Sequence, residues 1–111
     1  MGETKISKDI QTMIDAEFAG QVYLDRCQSG TVKKGKFYIK CAVSGTADRI
    51  GLIKGGRFLA IEAKTPEGMK DKSPTATAQG EYGLMIGAMG GIYLKVLSVD
   101  DCRKQLREVL K

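Results

Sequence analysis

The sequence predicts an α/β fold with a mixed central sheet and helices on both faces. Three observations predict it. The element order reads helix, strands, hairpin, helix, strand, helix, which is a layered arrangement rather than a bundle or a sandwich. The hairpin built from Ile50 to Ile61 is apolar on both of its faces, as expected of strands covered on both sides. The helical run between the strand carrying Glu62 and the strand beginning at Ile92 has crossover length, so those two strands are expected to run parallel. An antiparallel hairpin and a parallel crossover in one sheet make that sheet mixed.

Taken in order, Ile6, Ile10, Met13, Ile14 and Phe18 recur at helical spacing, with Ser7 as the expected N-cap, Asp9 in the first turn and an end near Ala19 and Gly20. Val22 to Leu24 reads as a short strand. The stretch from Cys27 to Gly35 is rich in turn residues and reads as a loop, and Phe37 to Ala42 as the next strand. After the hairpin, proline, glycine and charge make residues 65–74 an exposed, mobile segment. Thr75 to Met89 reads as a helix despite Gly80, Gly83 and Gly87, whose bare backbone invites close packing by a neighbour. Gly90 and Gly91 end it, and Ile92 to Leu97 is a strand. Ser98 with Asp101 has the spacing of a capping box, opening a last amphipathic helix that buries Val99, Cys102, Leu106, Val109 and Leu110. There is no internal repeat and no boundary, so residues 1–111 are expected to form one domain.

Composition narrows the chemistry. The chain carries a net charge of +5 and no histidine. The missing histidine removes histidine triads and zinc-ligand helices, so any general base or metal ligand must be Asp, Glu, Lys or backbone. Cys27, Cys41 and Cys102 are widely spaced and form no C-x-x-C pair, which suits buried free thiols. No apolar run is long enough to span a membrane and the N-terminus does not read as a signal peptide, so a cytoplasmic protein is expected (host cytoplasm if viral).

The hairpin carries the candidate site. A two-residue Gly55-Gly56 loop would pair Asp48 with Ala63, whereas a three-residue loop of Lys54, Gly55 and Gly56 pairs Asp48 with Glu62. The longer loop wants a left-handed third residue, which Gly56 supplies without steric cost. Alternation then places Asp48, Glu62 and Lys64 together at one strand end, on the face of Ile50, Leu52, Phe58 and Ala60, with Ile53, Leu59 and Ile61 on the other. Two converging carboxylates suit a hard divalent cation such as Mg²⁺, with the Ala63 carbonyl as a natural further ligand. A lysine on the same face can orient water or stabilise a charged phosphate. This set suits hydrolysis of a phosphodiester.

The ordered motifs Gly45-Thr46-Ala47-Asp48, Gly55 to Gly68, Ser73-Pro74, Gln79, Gly90-Gly91 and Ser98-Val99-Asp100-Asp101 resemble the virus-type replication-repair nuclease (VRR-NUC) domain, a branch of the PD-(D/E)XK nuclease superfamily. The resemblance covers essentially the whole chain and is densest from Gly45 to Gly68. It implies a restriction-endonuclease-like core, with Asp48 and Glu62 as metal ligands, Lys64 as the catalytic lysine and Gln79 as a glutamine close to the site. Ala47 stands where the superfamily name expects proline. Family members often carry a glutamate early in the first helix; Glu3, Asp9 and Glu17 are the candidates for that role here. The resemblance further implies a Mg²⁺- or Mn²⁺-dependent endonuclease that cuts branched DNA, above all Holliday junctions, as a homodimer, for which two fixed active sites suit two symmetric cuts. The alternatives are a nuclease for flaps or DNA ends, and a non-catalytic DNA-binding subunit that keeps the fold. Basic residues around the hairpin, Lys33, Lys34 and Lys36 before it, Lys70 and Lys72 after it, and Arg26 upstream, are the candidates for following DNA phosphates. Arg103, Lys104, Arg107 and Lys111 on the last helix read as a solvated face.

Overall fold

The structure is a computed structural model and describes residues 3–26, 31–34, 37–40, 48–70, 72 and 74–111, with backbone only for 31–34, 37–40 and 74–76. Four strands form the main sheet in the order β1-β4-β5-β6: Val22–Arg26, Arg49–Ile53, Arg57–Ala63 and Ile92–Val96. β1 and β4 pair antiparallel, as do β4 and β5, while β5 and β6 pair parallel. The sheet is therefore mixed, and the crossover from β5 to β6 runs through α2 (Pro66–Met69) and α3 (Pro74–Ala88). Helices α1 (Glu3–Glu17) and α4 (Val99–Val109) pack on one face, and α3 packs over β6 on the other. Among the described residues no helix is long and apolar enough to cross a membrane.

The turn between β4 and β5 is the three-residue loop that the glycines predict. Ile53 pairs with Arg57, Gly55 and Gly56 have φ of +103° and +90°, and the Gly56 N–H donates to the Ile53 carbonyl at 3.0 Å. The register follows: Ile50 opposes Ala60 and Arg49 opposes Ile61, which brings Asp48 to the level of Glu62.

The core lies between the sheet and the α1–α4 layer. Ile10, Ile14, Leu59, Ile61, Val96, Cys102 and Leu106 are fully buried there. The helical spacing of Ile6, Ile10, Met13 and Ile14 and the alternation of Leu59, Ile61 and Ala63 put those residues on facing surfaces. Burial keeps the Cys102 thiol protonated, pushing it up to about 12, as expected of an inert core cysteine. Cys27 and Cys41 lie outside the described residues. Arg103 on α4 grips Glu17 on α1 through two bonds of 2.8 Å and also meets Asp100, so this arginine clamps two helices rather than simply solvating a face.

Several local expectations are corrected. Helix α1 begins at Glu3, so Ser7 sits inside it rather than capping it; polar Glu3, Thr4 and Lys5 add a turn that apolar periodicity does not mark. The stretch read as a loop from Cys27 contains strand β2 (Thr31–Lys34), which pairs antiparallel with β3 (Phe37–Lys40) in a ribbon separate from the main sheet. The segment after Lys64 contains α2, capped by the Thr65 hydroxyl, which accepts from the Gly68 N–H at 3.0 Å, with Pro66 at the first helical position. The cap of α4 has one expected bond, Asp101 N–H to Ser98 Oγ at 3.0 Å; its reciprocal bond runs from the Leu97 N–H to Asp101 Oδ2 at 2.9 Å. Cover on the α3 side is incomplete: Leu52 is 48 % and Tyr23 63 % exposed.

Helix α3 sits close to the sheet because Gly83 lacks a side chain. A Cβ there would lie 2.7 and 2.9 Å from Cδ1 and Cε1 of the Tyr93 ring, which meets Tyr82 edge to face at 6.1 Å. Gly83→Ala is expected to lift α3 and to cost about 1–3 kcal/mol by overpacking, despite alanine's better helix propensity. Urea denaturation of the purified variant measures this.

Candidate functional site

The carboxylate site forms where β4 begins and β5 ends. Two reciprocal bonds lock its acids together: the Asp48 N–H donates to Glu62 Oε2 at 2.8 Å, and the Ala63 N–H donates to Asp48 Oδ2 at 3.2 Å. Both depend on the three-residue turn, since a shift of one residue would turn Asp48 to the opposite face. Glu62 is only 2 % and Lys64 only 7 % exposed. Lys64 Nζ stands 3.7 Å from Glu62 Oε1, and Gln79 Nε2 donates to the same oxygen at 2.7 Å. Gln79 reaches it from the first half of α3, one helical turn before Gly83.

Electrostatics mark this cluster. Burial, followed by the charge of Asp48, pushes Glu62 up to about 7, against the pull of the Asp48 N–H and of Lys64. Burial also raises Asp48, with Glu3 adding to the rise and the Ala63 N–H and Lys64 opposing it. Two carboxylates with one lysine in a site shielded from water hold more negative charge than they can solvate. The same surplus is what a hard cation neutralises, so the donor set fits a divalent ion. Among the described residues no group of three or more His, Cys, Asp or Glu side chains is gathered to hold a metal. Mg²⁺ commonly takes only one or two carboxylates and keeps water for the rest.

Of the candidate acids Glu3, Asp9 and Glu17, Glu3 is the one that comes near. Its Oε2 accepts from the Thr65 N–H at 3.4 Å, and a Cβ on Gly68 would lie 2.6 Å from that oxygen. Asp9 pairs with Lys5 on the surface, and Glu17 is held by Arg103. Ala63 enters the site through its N–H. Two polar atoms in the same region, Gln79 Oε1 and Tyr93 Oη, are buried without a partner among the described residues. The charges of Glu62 and Asp48 reinforce burial in keeping the Tyr93 phenol protonated. Tyr93 was missed from sequence because an aromatic residue in an apolar strand reads as core; its register opposite Ala60, on the Glu62 face, was the available signal.

The predicted DNA contacts are scattered. Arg26 ends β1 and is exposed, opposite Arg49. Lys70 and Lys72 are exposed after α2. Lys33 and Lys34 lie on β2, and Lys36 lies outside the described residues. Arg49 was not singled out from sequence, yet it is 8 % exposed and bridges β4 to α1. Parity carried the signal, because it puts Arg49 on the core face with Gly51 and Ile53.

No protein-family model matches the chain, and no curated protein or solved structure matches it either. The geometry thus stands by itself: an α/β chain whose mixed sheet brings Asp48, Glu62, Lys64 and Gln79 to one point.

Proposed function

We propose that the protein is a Mg²⁺- or Mn²⁺-dependent endonuclease that hydrolyses phosphodiester bonds in branched DNA, in the manner of a Holliday-junction resolvase, with a PD-(D/E)XK-type core. The observation that carries this reading is the convergence of Asp48 and Glu62, locked by their two backbone bonds beside Lys64. Asp48 and Glu62 hold the divalent ion, and the Ala63 carbonyl is the backbone oxygen assigned to complete the set. When bound, the ion supplies charge against the phosphate and makes water more acidic. Glu62 is kept in one orientation by the Asp48 N–H and by Gln79, so its oxygens need no reorganisation at the moment of reaction. Lys64, held in a buried position, places a positive charge where a phosphate oxygen gains negative charge.

A homodimer belongs to this reading, since paired cuts in a junction need paired sites. Leu84, Met85 and Met89 expose apolar surface along α3, as Tyr23 and Leu52 do on β1 and β4, and the α3 residues are the surface assigned to the contact.

The test is cleavage of a synthetic four-way junction in Mg²⁺ and in EDTA, run beside a 5′ flap and a linear duplex. Wild type is expected to cut the junction in Mg²⁺ only, and Glu62→Ala not to cut it. Identical behaviour of the two proteins in both buffers would sink the enzyme reading.

A further inference from the structure

The β1–β4 register sets two arginines side by side. Arg26 and Arg49 are direct partners on the sheet face that looks toward α1. Like charges directly opposite one another weaken a sheet. Arg49 is also only 8 % exposed, where a charge without a counter-charge is disfavoured. Among the described residues its hydrogen bonds go only to neutral acceptors: Nε to the Ser7 carbonyl at 3.0 Å and to Ser7 Oγ at 2.9 Å, and Nη1 to Gln11 Oε1 at 2.9 Å. Gln11 is itself braced, donating to the Leu24 carbonyl and to Asp15. The guanidinium is thereby fixed with Nη2 bonded to no described residue. Among the described residues neither arginine has a carboxylate within ion-pair distance. Burial and the charge of Arg26 both lower the pKa of Arg49, and Asp48, Asp25 and Asp15 act against them.

A structural bridge between β4 and α1 would not need a charge, and it would not need a second arginine beside the first. A phosphate explains both, because a rigid guanidinium fork matches its oxygens and two adjacent cations match its charge. Arg49 directly follows Asp48 and so projects from the opposite face of the same strand end, and Arg26 closes β1 beside it, so a nucleic-acid strand passing over this end of the sheet meets both faces.

We propose that Arg26 and Arg49 form a phosphate-binding site at the carboxylate end of the sheet, which holds a backbone phosphate of the nucleic-acid strand whose neighbouring linkage lies at Asp48 and Glu62. This rests on the nuclease reading for the choice of ligand. Arg49 is the fixed half of the site, positioned by Ser7 and Gln11, and Arg26 is the exposed half that closes on the phosphate.

The test measures binding of a fluorescein-labelled four-way DNA junction in EDTA across a salt series, for wild type, Arg26→Gln, Arg49→Lys and the exposed α4 control Lys104→Gln. Arg26→Gln is expected to bind about tenfold more weakly and to lower the slope of log affinity against log salt by about one. Arg49→Lys keeps the charge without the fork and is expected to weaken binding too, whereas Lys104→Gln matches wild type. In a second arm, inorganic phosphate is expected to raise the melting temperature of wild type above that in chloride of equal ionic strength, and not to do so for Arg26→Gln. Unchanged affinity and slope in Arg26→Gln overturn the proposal, even if Arg49→Lys fails to fold. Phosphate stabilisation without any change in junction binding also overturns it, since the site would then serve a free ion. Arg26-dependent binding by a wild type that never cuts in Mg²⁺ would remove the nuclease reading alone. Cutting that Glu62→Ala abolishes, with Arg26→Gln binding normally, would remove the phosphate site alone.

Discussion

Glu62→Gln is expected to abolish Mg²⁺-dependent cleavage while making the metal-free protein more stable at pH 8. The stability half follows from the sign of the pKa shift. Glu62 titrates near 7 in the folded chain against an ordinary 4.5, so between those values the folded state binds more protons than the unfolded state. Stability therefore falls as pH rises through that window and levels off above it. The gap corresponds to about 3 kcal/mol, an order of magnitude for a carboxyl so close to Asp48. A neutral amide removes this loss. It can still accept the Asp48 N–H bond, and a flip of the Gln79 amide would turn its unpartnered Oε1 toward the new NH₂. In EDTA, urea denaturation from pH 5 to 8 is expected to show wild type losing stability and Glu62→Gln holding level, the two agreeing near pH 5. In Mg²⁺ at pH 8 the cation is expected to stabilise wild type and not the variant. Cleavage is expected to fall by about 10³-fold, because a preorganised charge at the reacting centre is lost. A variant less stable than wild type at pH 8 in EDTA would show that Glu62 serves the fold.

Gly51→Ala is expected to have the largest effect on the fold. Gly51 lies midway along β4, paired with Leu24 on one side and Leu59 on the other. A Cβ there would overlap the Tyr23 carbonyl oxygen, 2.7 Å from the Tyr23 carbonyl carbon and 2.9 Å from the Leu24 Cα. These are backbone atoms, with no flexible side-chain end to yield, so β1 must part from β4. The Arg49 bridge to Ser7 would be strained with it. A loss of about 4 kcal/mol or more is expected, at the extreme of single substitutions. Urea denaturation or the soluble yield measures it, and a variant within about 1 kcal/mol of wild type would contradict this packing.

The parts of the fold that were legible from sequence are those where one residue type admits one geometry. Two glycines after Lys54 fixed the turn, the turn fixed the register, and the register brought Asp48 to Glu62. The crossover length fixed the parallel pairing of β5 with β6. The misreadings have the opposite cause. β2 belongs to a two-stranded ribbon separate from the main sheet, and Ser29, Gly30 and Gly35 around it speak only of turns. The first turn of α1 carries Glu3, Thr4 and Lys5, polar residues that apolar periodicity cannot place, so the one acid that reaches the site region was left undecided among three. Thr65 before Pro66 was a readable helix start, overlooked because the glycine and lysines that follow suggest a mobile loop. Arg49 was overlooked because arginine is expected outside, although the parity that placed Asp48 also turned Arg49 inward.

The central claim is that Asp48 and Glu62 together hold a divalent cation. Anomalous diffraction from a crystal grown with Mn²⁺ tests it most directly. The prediction is a peak about 2.0–2.4 Å from a carboxylate oxygen of each residue, a distance ordinary for hard cations on oxygen. A peak elsewhere on the chain, or ordered Asp48 and Glu62 carboxylates with no peak between them, would contradict it.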